Sequence, residues 1–192
     1  MSRVRPAFDL GLTVWLMAAC AGSRPMERSA YDLRSGDFLL AVNVPVRMDV
    51  RMVPWMDTID MNYRLSYDTP TRLRVFAESR WVARAGLLLG ERLQTRFGGG
   101  GAVVPKCQVQ VDIGEYSQHF ETATRSRFVI EARWRVSSLN AGKGELLLSE
   151  GRQFAVESTS ADARGGAMAA QGATDQLGAA ILSSVQSLAG CR

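Results

Sequence analysis

The chain has 192 residues, with 23 Lys and Arg against 19 Asp and Glu and a formal net charge of +4. Basic and acidic residues alternate without a Lys/Arg block, which excludes the electrostatic footprint of a nucleic-acid-binding protein. A single histidine leaves no histidine pair for zinc, and beyond the first 19 residues no stretch is apolar enough to span a bilayer.

Residues 1–19 have the order of a secretory signal: Arg3 and Arg5, an apolar run over 10–19, then small residues. That run is too short to cross a membrane. Leu16, Met17, Ala18, Ala19 and Cys20 resemble the lipobox of bacterial lipoproteins, with Met17 where the motif usually has Leu. The resemblance implies that Cys20 is acylated and becomes the new N-terminus. Ala21 follows it, and enteric lipoproteins kept at the inner membrane carry Asp there, so the expected site is the periplasmic face of the outer membrane. An ordinary cleaved signal or an uncleaved helix would leave Cys20 without lipid. Cleavage leaves 173 residues and a charge of +3, since Arg3, Arg5 and Asp9 are lost. That length suits one domain. Cys107 and Cys191 then form an even pair in an oxidising compartment. Either they bond to each other, or Cys107 is a lone thiol in the core.

Residues 20–36 are small, polar and unpatterned and read as a lipidated tether, with a single periplasmic domain over 37–192. From Asp37 the period is two: Phe38, Leu40, Val42, Val44, Val46, Met48, Val50 and Met52 share one face, and Pro45 places the strand at an edge or bends it. Pro54 and Trp55 end it. A second strand puts Ile59, Met61, Tyr63, Leu65 and Tyr67 inward, and Asp68, Thr69 and Pro70 supply a turn. A short third strand carries Leu73, Val75 and Ala77. The period then becomes helical: with Ser79 as N-cap, the pattern predicts a helix over 80–97 that buries Trp81, Val82, Ala85, Leu88, Leu89 and Leu93, with Arg92 and Arg96 intruding on that face. The glycines of 98–101 fail as a phosphate loop, because the dinucleotide pattern needs Gly at Val103 and no Gly-Lys-Ser/Thr follows. They stop a helix. Two amphipathic strands come next, Cys107, Val109, Val111 and Ile113, then Phe128, Ile130, Ala132, Trp134 and Val136. A loop at 140–144 leads into a third strand over 145–157. Ala170, Ala173, Leu177, Ile181, Val185 and Leu188 stripe a final helix stopped by Gly190, and Gly172, Gly178, Ala179 and Ser183 lie on its back.

This order, βββα-βββα, predicts an α+β fold: a mostly antiparallel mixed sheet of about six strands with two helices packed on one face. Its chemistry is sparse. His119 reads as a surface or edge residue, Asp57 and Asp60 as turn and solvent-facing carboxylates, and no Gly-x-Ser-x-Gly elbow occurs. The expectation is therefore no enzyme, no metal and no cofactor. Trp55 and Trp81 are the better binding candidates, although the apolar sector holding Trp81 also suits a core role.

The stretch 55–93 resembles the ABC-type transport auxiliary lipoproteins, the group that includes PqiC. The positions that match are Asp57 in a turn, the strand at Tyr63, Arg64 and Leu65, Leu73 in a short strand, and the Arg80-Trp81 pair; the later strands and Ala-rich last helix extend the likeness over most of the mature chain. The resemblance implies a lipid-anchored periplasmic accessory of an MCE/ABC-type phospholipid transport system. Its partners would be an MCE-type periplasmic protein and the ABC permease, docked through a sheet edge or the Trp55 turn, with Arg80 and Trp81 nearby. The alternative is an envelope-assembly lipoprotein, a cofactor for lipopolysaccharide insertion or for a peptidoglycan synthase.

Overall fold

The computed structural model of the protein describes residues 28–34, 44, 46–98, 104–139 and 144–191. The signal segment, Cys20, Ala21, the front of the first expected strand at 37–43, Pro45 and the loop residues 99–103 and 140–143 lie outside the described residues.

The elements are β1 (Ser29–Tyr31), β2 (Val46–Met52), β3 (Asp60–Leu65), β4 (Thr69–Trp81), α1 (Ala85–Arg96), β5 (Cys107–Thr122), β6 (Arg125–Ser138), β7 (Leu146–Glu157) and α2 (Ala163–Ser187), followed by a 3-10 turn, Ala189–Cys191. The seven strands among the described residues join one sheet in the order β1-β4-β3-β5-β6-β7, with β2 paired to β5. The fold is α+β, and the sheet is mixed. The β3–β4 and β5–β6–β7 ladders are antiparallel, as their hairpin connections require. Three ladders are parallel: β1 with β4, β2 with β5 and β3 with β5. Strands β2 and β3 share one edge of β5, Val46 to Met52 opposite Cys107 to Ile113, and Tyr63 to Leu65 opposite Gln118 to Phe120.

The alternating residues of β5 and β6 build the core floor. Val109 lies opposite Val136, Val111 opposite Trp134 and Ile113 opposite Ala132, and all six are buried. Onto them α2 sets Ala170, Ala173, Leu177, Ile181 and Val185. Small residues let this helix lie close, and Trp134 donates its indole N–H to Ser184 Oγ at 3.2 Å, which satisfies the one polar atom of a fully buried ring. Asp162 caps the helix, accepting from the Gly165 amide at 2.7 Å. A disulfide joins Cys107, at the start of β5, to Cys191, with their Cα atoms 5.4 Å apart.

Several elements depart from the sequence-based expectation. Residues 28–34, assigned to the tether, belong to the folded body. Tyr31 sits beside Trp81 in the β1–β4 ladder, Leu33 is fully buried, and Gln171 of α2 donates to the Asp32 carbonyl at 3.1 Å. A three-residue strand shows no period to read. The third strand runs on through Ser79, Arg80 and Trp81, and α1 begins at Ala85 rather than at residue 80, with no side-chain cap from its own N-cap residue, Arg84. The turn before β4 lies at 66–68, so Thr69 and Pro70 open that strand. Ile59 and Tyr67, expected inward, are exposed, and so is Val82. Gly178 is not on a free back of α2; it is buried against α1, where an added Cβ would come 2.7 Å from Arg96 Cδ.

Candidate docking surface

Away from the disulfide, whose Cys107 lies opposite Val46 at the start of β2, Trp55, Asp57, Arg80 and Trp81 fall where β2 ends and where β4 gives way to α1. There β2 ends at Met52, and the Met56 and Asp57 amides both donate to the Val53 carbonyl, at 2.9 and 3.1 Å, closing a tight turn. The turn directs Met56 into the core and leaves Trp55 66% exposed. The chain then meets β4: Trp81 N–H donates to Ile59 O at 2.7 Å and Ala85 N–H to Thr58 O at 3.0 Å. Trp81 itself is only 2% exposed and packs 6.0 Å from the Tyr116 ring, so it is a core residue, while its neighbour Arg80 is exposed.

Asp57 acts on the helix from across the turn. Its Oδ1 accepts from the Gly86 amide at 3.0 Å and its Oδ2 from the Arg84 guanidinium. A carboxylate at a helix N-terminus satisfies a free amide and opposes the positive end of the helix dipole. This cap was not legible in the sequence, because Asp57 stands 29 residues from its partner. Asp60 separates from it: its carboxylate lies 4.0 Å from Arg28. The two aspartates thus form no carboxylate pair.

Between α1 and β2 runs an open groove of about 1200 Å³. Met48, Val50 and Met52 line the strand side. On the helix side a Cβ on Gly86 would stand 2.8 Å from Asp57 Oδ1, whereas one on Gly90 would meet Val50 Cβ at 3.7 Å, an ordinary contact. Leu87, Arg34, Arg51, Arg84 and Glu91 edge the groove. Among the described residues β2 pairs with β5 alone.

The opposite sheet face carries a polar cluster. After Ile113 a bulge at Gly114 shifts the phase of β5, so Glu115, Ser117 and His119 point away from the helices. Arg64 Nη2 meets Glu115 Oε2 at 2.9 Å, and His119 Nε2 lies 3.1 Å from Ser117 Oγ and 3.7 Å from Glu115 Oε1. Burial acts to raise the Glu115 pKa, but hydrogen bonds from His119, Arg64 and Ser117, with the Arg64 charge, outweigh it and hold the group at about 2. Ser117 and Glu115 address the same imidazole nitrogen, and Ser117 is fully buried. A hydrolytic relay needs the base oriented through its other nitrogen and an accessible nucleophile, so this cluster has the geometry of an ion-pair network. Among the described residues no group of three or more His, Cys, Asp or Glu is placed to hold a metal, and no helix is long and apolar enough to cross a membrane.

No family model matches the chain, and no curated protein matches it. Solved structures do. Protein XCC0632 from Xanthomonas campestris, of family DUF330, superposes with a TM-score of 0.63 at 18% identity over 82% of this chain and 90% of its own. A second, uncharacterized protein superposes with a TM-score of 0.63 at 12% identity over 83% of this chain and 99% of its own. At these identities the likeness is one of fold, shared over about four-fifths of this chain and nine-tenths or more of each neighbour. Lipoprotein GNA1162 from Neisseria meningitidis reaches a TM-score of only 0.27 at 14% identity, too low for a shared fold.

Proposed function

We propose that this protein is a lipid-anchored accessory of an MCE/ABC-type lipid transport system, held at the periplasmic face of the outer membrane by Cys20, and that it acts by docking rather than catalysis. The groove beside the β2 edge carries this reading. A trough lined by Met48, Val50, Met52 and Leu87 and rimmed by charged residues, beside a strand that among the described residues pairs on one side only, suits an extended segment of a partner, which gains main-chain hydrogen bonds and side-chain burial. The Arg64–Glu115–His119 network supports it from the other side, since its charges are used in holding the sheet. The fold shared with XCC0632 is compatible with the reading but carries no function by itself.

Photo-crosslinkers at Leu87 and Gln94, on the groove, test it in cells. Capture of an MCE-type periplasmic protein is the expected result, and Cys20→Ala should leave the body folded while abolishing function, because tethering raises local concentration without adding a contact. Consistent capture of a lipopolysaccharide-assembly barrel or a peptidoglycan synthase would replace this reading with an envelope-assembly cofactor.

A further inference from the structure

We propose that β7 pairs edge to edge with β7 of a second copy of this chain, so that the two sheets run on as one across a twofold axis at Gly151. The path of the sheet ends in β1 on one side and β7 on the other. β1 is three residues long, which leaves little edge to pair. β7 is twelve, Leu146–Glu157, and among the described residues it pairs with β6 alone. It follows β6 in unbroken register from Leu148 to Glu157 and contains neither proline nor lysine. Common devices that blunt a long edge are therefore missing from it.

Which backbone groups are free follows from the ladder. The Ser158 amide donates to the Ser126 carbonyl at 2.9 Å, and in an antiparallel pair such bonds recur at every second residue. The even-numbered residues of β7 thus turn their amides and carbonyls to β6. Those of Ser149, Gly151, Gln153 and Ala155 turn outward, and all four residues are exposed. Charge chooses the partner and the register. Glu150 and Arg152 share the helix face: Glu150 Oε2 lies 3.4 Å from Ser184 Oγ, and the Arg152 guanidinium carbon lies 5.9 Å from the Trp134 ring centroid. The two also pair with each other at 3.3 Å and remain partly open to water. An antiparallel pairing centred on Gly151 sets Glu150 opposite the partner's Arg152 and Arg152 opposite the partner's Glu150. The result is a ring of alternating charges at direct cross-strand distance. Centring on Glu150 or on Arg152 instead sets that residue against its own copy, like charge to like. The Gly151 register also places Leu148 against the partner's Phe154. Such an interface is closed by its own symmetry, so it stops at two copies. β5 and β6 stand between β7 and β2, so each copy keeps its groove.

Sedimentation of the purified full chain in density-matched detergent tests the pairing, with circular dichroism as a check on folding. The expected mass is that of two copies. Glu150→Arg and Arg152→Glu each fill the ring with one sign of charge, so either variant alone should sediment at half that mass. An equimolar mixture of the two should return to the mass of a pair, because opposite signs then face each other across the axis. Mixing does not repair the pair within a chain, which separates the interface from the fold. Register is read with a short bismaleimide and mass spectrometry of the linked peptides. Chains with Ser149→Cys should link to chains with Gln153→Cys; the two copies of residue 149 lie roughly 14 Å apart along the strands and should not link to each other. A native chain of single-copy mass, a pair that survives both charge reversals, or a link between the two copies of residue 149 overturns the proposal. In cells, a photo-crosslinker at Gln153 should give a doubled band of this chain, and capture of a different protein in its place also overturns it.

Discussion

Arg92 of α1 and Asp175 of α2 meet in a two-bonded ion pair across the helix interface, Nε to Oδ1 at 2.9 Å and Nη2 to Oδ2 at 2.8 Å. The guanidinium also donates to the Leu33 carbonyl, so one side chain holds both helices and the segment that leaves β1. Arg92 is 6% exposed. Removing its partner takes two hydrogen bonds and the countercharge from a buried guanidinium, which is far costlier than losing a surface pair. Asp175→Ala should therefore destabilise by about 2 kcal/mol, less than for a fully buried pair because water reaches the aspartate. Arg92→Lys should lose most of the same energy, since an ammonium cannot form two parallel bonds. A urea midpoint unchanged in either variant would show that the clasp is incidental.

The cap of α1 gives a second test. A Cβ on Gly86 would stand 2.8 Å from Asp57 Oδ1, the atom that accepts its amide. Gly86→Ala, which in an open helix position raises stability, should here lower it by about 1 kcal/mol, because the carboxylate must leave. In an Asp57→Ala background that loss should vanish. Additive effects of the two changes would argue that the cap contributes nothing.

What could be read in the sequence, and what could not, follows from how local each signal is. The alternation in β5 and β6 was plain, because one face is packed by α2 and the other is polar, and the Ala-rich stripe of α2 likewise lies where its period put it. The bulge at Gly114 was not, since a one-residue slip reverses the faces beyond it; Tyr116 and Phe120 then point inward with Phe128 and Ile130, while Glu115 and His119 turn outward. Periodicity alone starts the helix too early, because Trp81 and Val82 share a helical sector with Leu88 and Leu89. Pairing of Asp60 with Arg80 keeps that segment in the sheet. The groove was invisible, being a relation between β2 and a helix that begins more than thirty residues later.

Acid should reveal the Glu115 network. Its folded pKa of about 2 lies below the ordinary glutamate value of 4.5, so the ionised form stabilises the fold above the unfolded value. That contribution is lost as the pH falls from about 4.5 towards 2. Glu115→Gln keeps the shape but cannot ionise. It should lower stability near neutral pH and flatten the acid limb over that window. Chemical denaturation across the acid range checks this. A variant whose acid limb matches the native one would place the titrating group elsewhere.

The disulfide ties the two ends of the second half together. Cys107 opens the central strand β5 and Cys191 closes the turn after α2, 84 residues later, and both are fully buried. Such a bond restricts the unfolded chain, and for a loop of this length the chain-entropy model assigns about 4.5 kcal/mol. Replacing both cysteines with alanine keeps the site apolar, so the loss should reflect the missing cross-link and a small cavity rather than a buried hydroxyl. The double variant should unfold at a lower urea concentration with a steeper slope, because its denatured state exposes more surface. Hydrogen exchange should rise first over residues 182–191, the segment the bond pins to β5. Native protein should resist thiol labelling until it is both unfolded and reduced. Free thiols in the unreduced, unfolded chain, or an unchanged midpoint in the double variant, would contradict this account.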